Sequence, residues 1–136
     1  MEKEEKKEWQ RFYEEGQGFH RAIRGRLKRL STPALVQNIA ALGIEKYFMA
    51  LCLRRGRLPL NHTMGDLLAE VKTFMALPAD LEASLHYFDA LQSICSLEVI
   101  PVQKPTQEDL LRFMDAIDRI ALLTEQELTG AAAQGS

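Results

Sequence analysis

The run Arg57-Leu-Pro-Leu-Asn-His62 sets a guanidinium five positions ahead of an imidazole. A histidine that titrates near neutrality can take a proton from a ribose 2′-hydroxyl, and an arginine can hold the phosphate as negative charge builds on it. That combination is the chemistry of metal-independent RNA cleavage. The competing reading is structural: His62 starts a helix and hydrogen-bonds within its loop. Further upstream, Glu45 and Lys46 interrupt an otherwise apolar helical run. Buried charge is costly unless paired, so these two either face solvent or line a polar groove at a dimer interface. Glu45, Lys46, Arg57 and His62 are therefore the candidate ligand-contacting residues. No residue is given a catalytic role, because the structural reading of His62 is the simpler one.

A second constellation is basic: His20, Arg21, Arg24, Arg26, Lys28 and Arg29. Arg21, Arg24 and Lys28 share one helix face by their i, i+3, i+7 spacing. Such a cluster can hold phosphates through charge-assisted contacts. No exposed aromatics interleave it to stack bases, and a solvated face paired with acidic residues elsewhere is the preferred reading. Other routes to chemistry lack their residues. The imidazoles are His20, His62 and His86, and none follows a glutamate at Glu-x-x-His spacing. There is no Cys-x-x-Cys, no His-Glu-x-x-His, no glycine loop for a phosphate and no serine in a nucleophile elbow. No metal or cofactor is expected.

The elements that must position these residues are helices. With 136 residues, 46% apolar and 26% charged, the chain has the size and balance of one soluble domain with a real core. No apolar run approaches the ~20 residues of a membrane span, and the charged start MEKEEKKEW lacks the apolar stretch of a secretory signal. Cys52 and Cys95 both fall in apolar helical pattern and read as buried free thiols in a reducing cytoplasm. The net charge of −2 hides an asymmetry: residues 1–57 carry +6 and residues 58–136 carry −8. Either one face binds anions, or the two halves pack with complementary charge, and the second reading is preferred.

Trp9, Phe12, Tyr13, Gly16, Phe19, Ile23, Leu27 and Leu30 recur at three or four positions, which predicts a helix over about 5–30. Gly16 lies on that stripe, where it allows another helix to approach closely. Thr32 and Pro33 open a second helix, about 33–55, apolar nearly all round and so central to a bundle. Gly56 ends it, with Arg54 and Arg55 near its negative end. Pro59 breaks the loop that follows. Thr63 and Asp66 start a third helix, about 63–76, and Pro78 opens a fourth, about 79–96. Pro101 and Pro105 bracket a loop. Thr106, with Glu108 and Asp109, starts a fifth helix, about 107–127. The sum is an all-α, mostly antiparallel bundle of four to five helices in one domain, residues 1–128. Residues 129–136 have nothing large to bury and read as a disordered tail.

The run GIEKYFMALCLRRGRLPLNHTMGDLL, residues 43–68, resembles the signature of HEPN domains (higher eukaryotes and prokaryotes nucleotide-binding). Ile44-Glu45-Lys46, Ala50-Leu51 and Leu53 match the late second helix of that family. Gly56 and Pro59 match its loop, and His62, Met64, Leu67 and Leu68 match the following helix start. Asn61 and Thr63 stand where threonine and aspartate are usual. The resemblance implies a small bundle that forms homodimers and often accompanies a minimal nucleotidyltransferase, sometimes as a toxin–antitoxin pair. It also implies a nucleotide or RNA ligand. Its catalytic members are ribonucleases with an Arg-x4–6-His motif on the fourth helix. Here that helix holds His86, and no arginine precedes it within six residues. The resemblance therefore favours a binding module over a ribonuclease toxin or a ligand-free scaffold.

Overall fold

The computed structural model describes residues 7–25, 32–97 and 106–135, with side chains left aside at 33, 92–97 and 131–135. Expectations for Leu27, Leu30, the basic Arg26, Lys28 and Arg29, the side chain of Cys95 and the prolines at 101 and 105 lie outside the described residues. Among the described residues the chain is all-α: α1 (Glu8–Arg24), α2 (Pro33–Arg54), α3 (Met64–Lys72), α4 (Ala79–Leu97) and α5 (Gln107–Gly135). No helix among them is long and apolar enough to cross a membrane.

Three threonines start helices by the same device. The hydroxyl accepts a backbone N–H that the first turn would otherwise leave unpaired. Thr32 accepts from the N–H of Leu35 at 3.2 Å, and Thr63 from that of Asp66 at 3.1 Å. Thr106 accepts from the N–H of Asp109 at 3.1 Å, while the Asp109 carboxylate accepts from the N–H of Thr106 at 2.9 Å. The helix ends depart from the periodicity. α1 closes at Arg24, where the N–H of Gly25 donates to the Arg21 carbonyl at 2.9 Å. α3 stops at Lys72 rather than near 76. The Thr73 hydroxyl donates to the Glu70 carbonyl at 2.6 Å, and Phe74 tightens the end by bonding Val71 at 3.1 Å. α5 runs to Gly135 rather than ending near 127. Leu128 is buried one position further on, and Ala131, Ala132 and Ala133 favour helix.

The core forms around α2, as its apolar circumference requires. Val36, Ala40, Ile44, Tyr47, Phe48, Leu51 and Cys52 are buried. Phe88 of α4 and Phe113 of α5 meet edge to face with centroids 4.1 Å apart. Gly16 of α1 is buried against the Tyr47 ring, and a Cβ there would lie 3.0 Å from Tyr47 Cδ1. The close approach expected at Gly16 is therefore present.

Cross-helix contacts give the directions. Trp9 meets Arg54, Gly16 meets Tyr47 and Phe19 meets Gly43, so α1 and α2 are antiparallel. Lys72 pairs with Glu82 while Gly65 meets Asp89, so α3 and α4 are antiparallel. Asp80 pairs with Arg119 and Tyr87 bonds Asp109, so α4 and α5 are antiparallel too. α2 and α5 are neighbours without being consecutive, and they run parallel: Gly43 meets Ile117 and Arg55 pairs with Glu127.

The charge asymmetry is met in part inside the bundle among the described residues. Arg24–Asp118 at 3.3 Å, Arg55–Glu127 and Arg57–Glu70 each join the basic first half to the acidic second. His20 Nε2 lies 2.6 Å from the same Asp118.

Candidate functional site

The C-terminus of α2 sets the geometry of the Arg57–His62 loop. Gly56 takes φ 74°, the left-handed conformation that glycine adopts without cost. Its N–H donates to the Leu53 carbonyl at 2.9 Å, and the N–H of Arg57 to that of Cys52 at 2.8 Å. This paired closure is a Schellman motif, and it fixes where Arg57 leaves the helix. The guanidinium pairs with the Glu70 carboxylate near the end of α3 and lies 5.7 Å from the Phe74 ring centroid. Arg55 lies 4.9 Å from the same ring. The chain then doubles back beside α3 to reach its first turn, where Thr63 caps.

This path separates the two residues whose spacing suggested chemistry. Glu70, which holds Arg57, lies seven residues beyond Thr63, which is ~10 Å along a helix axis at 1.5 Å per residue. His62 sits at the opposite end of that length, beside the cap. It is exposed and makes no hydrogen bond or ion pair among the described residues. The hydrogen-bonded His62 expected from the sequence is corrected here: Thr63 satisfies the helix start without it.

Glu45 and Lys46 diverge because consecutive helical residues point ~100° apart. Lys46 reaches α1, pairing with Glu15 at 3.1 Å and standing 5.1 Å from the Phe12 centroid. Glu45 faces the start of α3, where Asp89 of α4 accepts the Gly65 N–H at 3.2 Å. A Cβ on residue 65 would lie 2.8 Å from Asp89 Oδ2, so the glycine admits that carboxylate to the helix start. Glu45 is half-buried, and no hydrogen bond or ion pair reaches it among the described residues. Burial pushes its carboxyl above the usual range. Lys46 opposes that shift and Asp89 adds to it. The Cys52 thiol, fully buried, is pushed up to about 11 by burial first and then by Glu70, against Arg57. It stays protonated and unreactive at neutral pH.

Lys46, on the α1 side, and Arg57, held by Glu70, therefore stand apart, while Glu45 and His62 both lie toward the start of α3 with no hydrogen bond or ion pair between them among the described residues. Concave surface adjoins two of these places. An open groove of about 630 Å³ runs between α1 and α2, lined by Glu15, Gly18, Phe19, Ala22 and Lys46. Its floor is apolar and its rim holds one cation and one anion, a shape suited to an apolar body with polar flanks. A smaller recess of about 370 Å³ lies between Leu58, Pro59, Leu60 and Asn61 of the loop and Asp66 and Glu70 of α3. Among the described residues no three His, Cys, Asp or Glu side chains converge as a metal site. Of the groove residues, Lys46 was named from the sequence as a candidate contact and Phe19 only as part of the apolar stripe. Glu15 carries no local signal, because its partner lies 31 positions away. No family model, no curated protein and no solved structure matches this chain.

Proposed function

We propose that the chain is a non-catalytic helical interaction module that acts as a homodimer. The observation that carries this reading is the apolar stripe left uncovered on the most central helix. Leu35 and Leu42 of α2 are 42% and 40% exposed, with half-buried Ile39 between them at helical spacing. Exposed apolar surface of this kind marks an interface. The engagement of Arg57 by Glu70, away from His62, supports the non-catalytic part. The resemblance over residues 43–68 alone supplies the finer terms: a nucleotide as ligand, or a minimal nucleotidyltransferase as partner of the dimer.

Incubating RNA with the purified protein, without added metal, tests the absence of catalysis. RNA is expected to stay intact. Cleavage that disappears in His62→Ala or His86→Ala would overturn the reading. A thermal-shift screen with nucleotides tests the ligand: at 100 times its Kd a nucleotide adds ~2.7 kcal/mol of stability. No shift with any nucleotide removes that term and leaves the protein partner.

A further inference from the structure

We infer that the α1–α2 groove is the surface on which a second copy of this chain docks, about a twofold axis that exchanges the Glu15–Lys46 pair. This rests on the homodimer reading and names its face. The groove rim presents Glu15 and Lys46, with side chains 53% and 32% exposed. An apolar patch flanked by one cation and one anion is self-complementary under twofold rotation. Lys46 of each copy meets Glu15 of the other, and no charge is left unpaired. The floor admits a close approach, since a Cβ at Gly18 would meet nothing within 4 Å. Leu42 lies one helical turn before Lys46 on the same face of α2 and extends the apolar area beside the groove. A second recess fits a second copy less well. The loop recess between Leu58 and Glu70 presents Asp66 and Glu70 at its rim, and Glu70 is already paired to Arg57. The lining holds no cation to answer Asp66 on a second copy.

The test is a charge exchange read as mass in solution by light scattering, with helix content checked by circular dichroism. Wild type is expected to dimerise. Glu15→Lys gives a rim of two cations and Lys46→Glu a rim of two anions, so each variant alone is expected to stay folded and run as a monomer. Mixed one to one, they are expected to regain the dimer mass as a heterodimer. Gly18→Gln, which fills open space on the floor without changing charge, is expected to raise the dimer dissociation constant at least tenfold. A dimeric wild type whose two charge variants also remain dimeric would overturn this face while leaving the homodimer standing. Variants that are monomeric alone and stay so when mixed would overturn the exchange. A monomeric wild type would overturn both this inference and the reading beneath it.

Discussion

Glu45 is the residue whose surroundings oppose its charge most plainly. Its carboxyl lies above the ordinary value of 4.5, chiefly through burial, with Asp89 adding to the shift. The folded state therefore binds more protons than the unfolded state as pH rises through and above 4.5, and stability falls across that window. Glu45→Gln keeps the shape and removes the ionisation. It should raise the melting temperature at pH 7, and the gain should vanish near pH 4. Asp80 behaves in the opposite sense. The Arg119 hydrogen bond holds it below its ordinary 3.8, so its contribution is present at neutral pH and lost as pH falls through that region. Thr63 is a residue whose role was plain from the chain, because a hydroxyl three positions before an acid announces a cap. Thr63→Ala should cost ~1 kcal/mol in urea unfolding. His62, its neighbour, lies at the far end of α3 from the Glu70 that holds Arg57. Spacing along a chain says nothing about separation in space when the intervening loop runs the length of a helix.

At the scale of elements, glycines report how tightly helices meet. Gly16→Ala gains ~1 kcal/mol of helix propensity. The added Cβ would press on a fully buried Tyr47 ring at 3.0 Å, and overpacking of that kind costs ~1–3 kcal/mol. A net loss of stability is expected from Gly16→Ala. Gly130→Ala, where a Cβ meets nothing within 4 Å, should instead stabilise by up to ~1 kcal/mol. Thermal or urea unfolding of the two proteins checks the contrast. Helix identity was readable because apolar residues recur at helical spacing and threonines mark the starts. The ends were not, because they depend on single bonds such as Thr73 to Glu70 and on the buried Leu128 that draws α5 onward. The parallel neighbours α2 and α5 were also invisible. Connection length constrains only consecutive helices.

At the scale of the whole molecule, three arginine ion pairs join the basic half to the acidic half among the described residues. These pairs are partly exposed, so each is worth at most ~1 kcal/mol and salt weakens them. Arg57→Ala should accordingly change unfolding free energy by less than ~1 kcal/mol, yet it should free the loop around Leu58 and Leu60, which are 74% and 94% exposed. Faster proteolysis within residues 57–62, at nearly unchanged stability, is the expected result. The charge complementarity was apparent from the two halves of the sequence. The groove was not, since it arises only when α1 is laid antiparallel on α2 and Glu15 meets Lys46.

The first experiment is the mass of the untagged wild-type protein by light scattering, over a micromolar concentration range. A homodimer gives twice the 15.4 kDa of one chain, falling toward 15.4 kDa on dilution. A mass of 15.4 kDa throughout that range would contradict the interaction-module reading and leave the exposed leucines of α2 without a partner of their own kind.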